Sequence, residues 1–411
     1  MTDGMRARPT GMLSLAIGGL LALGTSQGIG RFVHTPILPY MVADLGLRGG
    51  EAGLIASANF VGYLAGALFA SLPRLPGDRR VWLLAALALS AATTGLTGLA
   101  TALPWLMAIR FAGGFASAIV LVFASALVLD RINAAGRSGL TAVHFSGIGF
   151  GILASSFVVS GLVEAGAGWR DLWFAAGALS LAATIGVVRL VPPGPPPALS
   201  RQPSASLAGS AWSVPLLRFV LAYGLLGMGY VITATFIVTI VRADPGLRPL
   251  APFVWPITGI AIIPSTAIWN AVARRIGVYR AFAAASLLLA IGVGASVLPI
   301  GWAGPILGAV LLGGTFVGMT SLGFVGARNL SGSDPRSVLG VMTAAFGVGQ
   351  IVGPVFAGFA YDLTGSFAFP SLTAAAGLVL GACLTWNVRP RGAGDESRSI
   401  HLHFDDARDG A

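Results

Sequence analysis

One stretch near the start of the chain decides the fold: "GMLSLAIGGLLALGTSQGIGRFVHTPILPY", residues 11–40. A helix that crosses a bilayer needs about 20 mostly apolar residues, because a rise of roughly 1.5 Å per residue must cover roughly 30 Å of hydrocarbon. This stretch is long enough, yet it carries Arg31 and His34 in its second half, with Pro36 and Pro39 close behind. It therefore predicts a membrane-spanning helix with polar side chains that need a physical reason.

The composition of the whole chain agrees with immersion in a bilayer. Of its 411 residues, 55% are hydrophobic and only 10% are charged, which excludes an ordinary soluble globular domain. The net charge of +10 comes from scattered arginines without the clustered basic surface that nucleic acid binding needs. The chain has no lysine, so the phosphate-binding loop of an ATP-driven pump is excluded. We expect no cofactor, and we interpret the tail "HLHFDD" from His401 as a disordered end rather than a metal site.

Further apolar runs of similar length follow along the chain and predict an all-α membrane protein, because lipid cannot hydrate the unpaired backbone of an open strand. Their boundaries are soft by several residues. The twelve predicted spans are residues 11–40, 52–72, 81–101, 104–129, 139–163, 171–191, 214–241, 250–273, 281–300, 302–327, 338–361 and 367–387.

The arginines in the loops predict the orientation. If the amino terminus is cytoplasmic, nineteen arginines lie in inside segments and four in outside loops, with Arg31 and Arg110 within spans. Positive residues concentrate on the cytoplasmic side of membrane proteins. We therefore expect both termini to be cytoplasmic, and we attribute most loop arginines to topology alone.

The chain divides into two halves at a segment rich in proline. We predict a six-helix bundle over residues 1–191, a cytoplasmic linker over 192–212, a second six-helix bundle over 213–388 and a cytoplasmic tail over 389–411. The halves resemble each other at an offset of about 200 residues. A parallel repeat of six spans is typical of a large transporter class whose ligand site lies at the midplane between the halves.

Several motifs carry a family resemblance. "RFAGGFASA" from Arg110 resembles the fourth-span pattern of the major facilitator superfamily, in which an arginine precedes glycine and small residues. After the second span the sequence keeps Gly66, Arg79 and Arg80 of a second family pattern, but Ala70 replaces its usual aspartate, which puts the charge-relay latch of the family in doubt. "GIGRF…TPILP", "SANFVGYLAGA" and "HFSGIG" resemble the bacterial YbfB/YjiJ branch. The resemblance implies a transporter fold and names no cargo.

The arginine in the first span has two interpretations. A charge at the centre of a bilayer costs about 2.5 to 3.5 kcal/mol on insertion scales. Gln27, Arg31 and His34 are spaced i, i+4 and i+7, which predicts one polar stripe facing a cavity, near carbonyls that Pro36 and Pro39 free. The alternative is that Arg31 reaches outward to the membrane surface. We favour the cavity.

Arg110, at a depth comparable with Arg31, is either a second substrate contact or a structural arginine that binds backbone carbonyls. No aspartate or glutamate lies in the interior of a predicted span. Two embedded positive charges without an acidic partner predict a site for a small organic anion, since a guanidinium binds a carboxylate bidentately.

Other polar and aromatic residues complete the predicted site. Tyr230 and Thr233 occupy the positions in the second half that match Arg31 and His34, and either site contacts or plain packing explains them. The predicted substrate-binding residues are Arg31, Arg110, Gln27, His34, Asn59, Tyr63, Tyr230, Thr233, Trp255 and Gln350.

Histidine changes charge near neutral pH, so His144 and His34 are candidates for proton coupling; an ordinary hydrogen-bonding role is the alternative. Small residues let helices approach and slide. The glycines predicted to serve helix packing and rocking are Gly147, Gly149, Gly151, Gly347, Gly349 and Gly353.

The sequence thus predicts a monomeric secondary active transporter of a bacterial inner membrane, not an enzyme, that moves a small organic anion by alternating access. Proton-driven export of drugs or metabolites is the alternative within this class. A membrane enzyme or receptor is disfavoured because no cluster of acid, base and nucleophile and no appended soluble domain is visible.

Overall fold

The computed structural model describes residues 9–72, 75–137, 139–193, 212–331 and 335–388. These residues are helical apart from short connections, and twelve helical stretches are long and apolar enough to cross a membrane. The predicted class and the twelve spans are confirmed. The predicted tail and all of the linker except residues 192, 193 and 212 lie outside the described residues.

The first span is interrupted, whereas the others are continuous helices. It consists of α1, a π-helical segment over Gly24–Arg31, and α2. The helices of the first half are α1 Pro9–Leu23, α2 His34–Leu45, α3 Gly49–Ala70, α4 Arg79–Leu96, α5 Leu103–Ala134, α6 Leu140–Glu164 and α7 Trp169–Leu190. Those of the second half are α8 Val214–Ala243, α9 Ala251–Ile276, α10 Val278–Ala295, α11 Ala303–Leu330, α12 Pro335–Thr364 and α13 Ala368–Trp386.

Close helix packing within a half depends on small residues. Gly62 and Gly66 lie one turn apart on α3 and face the carbonyl oxygens of Phe111 and Phe115 on α5. A Cβ at either glycine would meet those oxygens inside contact distance. Since hydrocarbon supplies no hydrophobic drive between helices, such close backbone approach is what van der Waals packing in a membrane requires.

The two halves meet mainly where α3 packs on α12, α6 on α9, and α2 on α8. An even number of spans brings the first and last described residues to one face, which we call the terminal side, and the opposite face the distal side. Whether the terminal side is cytoplasmic stays a prediction of the arginine distribution.

The predicted packing glycines divide into two groups. Gly149 faces α9 and Gly347 faces Leu64 of α3, so these two lie between the halves. The other four pack inside their own half: Gly147 and Gly151 against α1 and Gly24, Gly349 and Gly353 against α8. Gly149 and Gly347 are therefore the two predicted packing glycines that lie at the interface between the halves.

Candidate functional site

A cavity of about 820 Å³, including its open mouth, lies between the halves. Its wall includes Phe324 and Thr343, in the terminal-side parts of α11 and α12, and Phe324 is 41% exposed. Deeper in, it reaches Arg31 and Gln350. The cavity thus opens toward the terminal side and ends near the middle of the molecule.

Polar contacts between the halves close the distal side. The Asp362 carboxylate at the end of α12 accepts hydrogen bonds from the backbone N–H groups of Gly49 (2.7 Å) and Gly50 (2.8 Å) at the start of α3. An anion at a helix amino terminus is favourable because the first N–H groups have no partner within the helix. Arg242 also donates to the Tyr40 hydroxyl at 2.8 Å. These contacts separate the cavity from the distal face.

Closer to the cavity, α2 and α8 cross in direct contact. The Thr35 hydroxyl donates to the Ala234 carbonyl at 2.6 Å, and Ser57 on α3 donates to the Ile351 carbonyl on α12 at 2.7 Å. Both bonds use a side chain of the first half and a carbonyl of the second. They form the floor of the cavity on its distal side.

The π-helical segment presents the polar side chains of the first span. It reads "GTSQGIGR", and all its residues are buried. Its glycines allow a close approach to α6, because a Cβ at Gly28 would meet the Ile148 carbonyl and the backbone of Gly151. A π-helix has a wider turn than an α-helix and recurs at functional sites. Here it directs both Gln27 and Arg31 at the cavity.

Arg31 is the one charged side chain among the described residues that line this cavity. It is 7% exposed, and its Nη1 donates to the Gln27 Oε1 at 2.9 Å. Gln27 is held in turn by a 2.8 Å bond from its Nε2 to the Ser117 carbonyl. The guanidinium carbon lies 4.0 Å from the centroid of the Tyr63 ring. Nε and Nη2 of Arg31 make no well-formed hydrogen bond with a described residue, although the hydroxyls of Tyr63 and Tyr230 lie close to the guanidinium.

Arg110 binds the backbone of the first span instead. Its Nη1 donates to the Gly30 carbonyl at 2.9 Å and its Nη2 to the Arg31 carbonyl at 3.0 Å. The Arg31 carbonyl has lost its helical donor, because the Thr35 N–H binds Phe32 and Pro36 has no N–H. Arg110 is thus a structural cap for the interrupted span, and it does not line the central cavity.

His34 does not continue the stripe that the spacing predicts. The turn at Phe32 and Val33, after the π-helical segment, changes the helical register, so the i+7 position no longer shares a face with Gln27 and Arg31. His34 faces Trp173, with ring centroids 6.1 Å apart, and lines a small space beside Arg110 on the distal side of Arg31. It lies outside the central cavity.

Of the other residues predicted to bind substrate, some line the central cavity and some do not. Tyr63, Tyr230 and Gln350 line the cavity, and the Gln350 Nε2 donates to the Tyr230 hydroxyl. Asn59 donates to the Arg110 carbonyl at 2.9 Å and lines only the small space beside it. Thr233 and Trp255 are buried and do not line the cavity.

Sequence reasoning missed most of the aromatic wall. Eight of the eighteen lining residues are aromatic. They are Phe32, Tyr63, Phe145, Tyr223, Tyr230, Phe316, Phe324 and Phe346. Tyr63 and Tyr230 were predicted and the other six were missed, because an aromatic residue in an apolar helix has the same sequence signature whether it faces lipid, a neighbouring helix or a cavity.

His144 lies inside the first half, away from the cavity. It is fully buried, its Nε2 lies 3.4 Å from the Ser125 hydroxyl, and its Nδ1 has no partner among the described residues. Its ring fits beside α1 because residue 19 is glycine, where a Cβ would clash with the imidazole.

Two helical bundles around a central, one-sided cavity define the class of membrane transporters built on the major facilitator fold. The sequence profile of the family described as "Uncharacterised MFS-type transporter YbfB" matches residues 23–386. The chain belongs to this family, which is one of transporters rather than enzymes, and the resemblance from sequence is confirmed.

Individual proteins resemble this chain at low sequence identity. The chain is 29% identical over 253 residues to a chloramphenicol resistance protein of Streptomyces lividans; the match covers 59% of this chain and 60% of the length of that curated relative. The nucleoside transporter NupG, in a mutant form, superimposes with a TM-score of 0.70 at 17% identity, covering 90% of this chain and 98% of that one.

A bacterial homologue of the human lysosomal transporter Spinster, in an inward-facing and occupied conformation, has a TM-score of 0.68 at 12% identity, covering 92% of this chain and 96% of that one. At these identities, the two solved structures show the shared fold alone.

Proposed function

We propose that this protein is a monomeric secondary active transporter that carries a small organic anion across the inner membrane of a bacterial cell by alternating access. The observation that supports the cargo class is Arg31, a buried guanidinium on the cavity wall whose Nε and Nη2 make no well-formed hydrogen bond with a described residue and face only neutral groups. A buried charge without a partner is costly, and an anionic cargo would offset that cost.

The surroundings of Arg31 favour an anion over a cation. Each acidic residue in a described helix lies near the end of that helix, and none lines the cavity. Opposite charges about 4 Å apart gain roughly 4 kcal/mol at an effective dielectric constant near 20, and like charges lose as much. A cationic cargo would therefore meet only repulsion from the charged group of this cavity.

Alternating access is supported by the one-sided cavity. The distal side is closed by hydrogen bonds between the halves, such as those from Gly49 and Gly50 to Asp362. A rocking motion of the halves can break these bonds together. Gly149 and Gly347 lie at the interface where the halves would move. With the terminal side cytoplasmic, as the arginines predict, the cavity faces inward.

The proposal also includes coupling of transport to proton movement, through a group separate from the substrate site. His34 and His144 are the candidates, and neither lines the central cavity. His144 would act through the packing of α1 against α6, since its ring touches Gly19 on α1.

Export of a neutral drug is the second candidate. It is favoured by the name of the Streptomyces relative and by the aromatic wall, which can bind a neutral aromatic molecule as well as an aromatic anion. The two candidates differ in their dependence on Arg31: an anion needs the guanidinium and a neutral drug does not.

Reconstitution into liposomes tests the proposal. Uptake of radiolabelled mono- and dicarboxylates and of chloramphenicol would be measured with and without a pH gradient for wild type and Arg31→Ala. Arg170→Ala is the matched control, since Arg170 is exposed at the start of α7. We expect Arg31→Ala to lower anion uptake about 10- to 100-fold, as for loss of hydrogen bonds to a charged group.

Undiminished anion uptake by Arg31→Ala contradicts the anion site, and transport of chloramphenicol alone, independent of Arg31, favours the second candidate. A parallel His144→Ala variant should still exchange substrate across the membrane yet no longer concentrate it when protons drive uptake. Full accumulation by that variant excludes His144 as the coupling group.

A further inference from the structure

The cavity combines one charged pole with an aromatic wall, and this combination restricts the cargo. We infer that the transported anion is an aromatic monocarboxylate, whose carboxylate binds Arg31 and whose ring lies against the wall formed by Tyr230, Phe316 and Phe346. This inference rests on the proposed function and narrows its substrate class.

The free donors of Arg31 are arranged for a carboxylate. Gln27 takes the Nη1 donor, and the two unpartnered donors, Nε and Nη2, share one edge of the planar guanidinium. A carboxylate accepts two parallel N–H bonds from such an edge, which a single acceptor atom cannot do. Stacking on Tyr63 at 4.0 Å, together with the bond to Gln27, holds the guanidinium in place before the cargo arrives.

Three rings of the aromatic wall stack on one another and are held in place. The rings of Tyr230 and Phe316 are nearly parallel, with centroids 4.8 Å apart and an interplanar angle of 3°, and Phe346 continues the stack at 5.8 Å and 10°. The Tyr230 hydroxyl accepts a hydrogen bond from Gln350. Aromatic pairs favour offset stacking or edge-to-face contact, so this wall offers a planar ring a defined surface.

The same wall disfavours other organic anions. A dicarboxylate would bring a second charge next to apolar rings, and the other buried arginine, Arg110, already donates both of its Nη groups to carbonyls outside this cavity. An unpaired buried carboxylate carries a large desolvation cost. A short aliphatic acid would satisfy Arg31 but leave the rings in contact with water, so it would gain little from their burial.

The aromatic residues also come from both sides of the cavity. Phe145 projects from α6 of the first half, and Phe324 and Phe346 come from α11 and α12 of the second. A ring between them contacts both halves at once. A cargo with a ring therefore contributes binding that a small acid bound at Arg31 alone lacks.

Uptake by the reconstituted full chain tests the inference. Radiolabelled benzoate and 4-hydroxybenzoate would be compared with propionate, lactate and succinate, in wild type, Arg31→Ala, Phe316→Leu and Phe346→Leu. Phe157→Leu is the control, since Phe157 is 64% exposed on the outer surface and does not line the cavity. The thermal unfolding of each variant in detergent shows whether it is folded.

We expect benzoate to be taken up at least about tenfold faster than propionate or succinate at equal low concentration. Each wall variant should lower benzoate uptake about 2- to 12-fold, the range of a lost aromatic contact, and leave uptake of propionate within about twofold. Each wall variant tests the ring contact separately, so the result stands if at least one of the two folds.

Arg31-dependent uptake of aliphatic acids with no preference for a ring overturns this inference and leaves the proposed function intact. The same holds if a folded wall variant lowers the uptake of all anions equally. Failure of every acid to be transported in an Arg31-dependent manner overturns the proposed function as well.

Discussion

Arg31 and Arg110 lie in similar surroundings and have different bonding. Both are almost fully buried within spans of the first half, at 7% and 3% exposure. Arg110 donates from both Nη groups to the carbonyls of Gly30 and Arg31 and leaves only its Nε unpaired, whereas Arg31 makes one well-formed hydrogen bond, to Gln27, and leaves Nε and Nη2 unpaired. Burial of an arginine therefore does not define a binding site; what its donors already bind does.

The difference arises from the interruption of the first span. The π-helical segment and Pro36 leave the Arg31 carbonyl without its helical donor. Arg110 supplies that donor from α5, and the side chain of Arg31 remains available on the cavity wall. The same residue thus contributes an orphan carbonyl to the scaffold and a free guanidinium to the site.

The largest effect that this comparison predicts is on stability. Arg110→Gln should lower the free energy of unfolding by about 2 to 5 kcal/mol, because two buried carbonyls lose their donors at about 1 to 3 kcal/mol each. Thermal unfolding in detergent measures it, with the exposed Arg170→Gln as control. A melting temperature equal to that of wild type would contradict the structural role of Arg110.

A smaller effect, on anion binding, is expected from substitution of Tyr63, whose ring stacks on the Arg31 guanidinium. Tyr63→Leu should weaken binding of the anion about 3- to 30-fold, because a cation–π contact with a partly desolvated guanidinium contributes about 0.5 to 2 kcal/mol. Tyr63→Phe keeps the ring and should bind within about twofold of wild type. Equilibrium binding of labelled benzoate to the purified variants measures both, and equal loss in the two variants would show that the hydroxyl, rather than the ring, matters.

The smallest effect expected is the change in protein stability when Arg31 is substituted. Arg31→Gln should change the free energy of unfolding by less than about 1 kcal/mol, because it removes one hydrogen bond and also a buried charge with two unsatisfied donors. Comparison with Arg110→Gln in the same detergent sharpens the contrast. A loss as large as that of Arg110→Gln would place Arg31 in the scaffold and remove it from the site.

Much of the architecture was predictable from local patterns. The twelve spans follow from the length and apolarity of each segment, and each was found within several residues of its prediction. Placement of Arg31 beside Gln27 also followed from spacing, because a separation of four residues still shares a face when the helix widens.

The prediction that His34 shares a face with Gln27 and Arg31 was wrong, because the helical register changes after Arg31. An ideal α-helix brings i and i+7 to one face, but a π-helical segment and a turn between them rotate His34 toward Trp173. Such a segment has no reliable signature in one sequence, since its glycines also fit an ordinary close-packed helix.

The sequence by itself determined the membrane environment, the number of spans, the two halves and the scarcity of acidic partners for the buried arginines. Each of these depends on which residue types a segment contains, because the transfer of a segment from water to lipid depends on its own composition. Tertiary structure alone decided which arginine faces the cavity, which phenylalanines line it and which side of the molecule is closed. Those features depend on distances between atoms on different helices, and packing sets these distances only when the helices have come together.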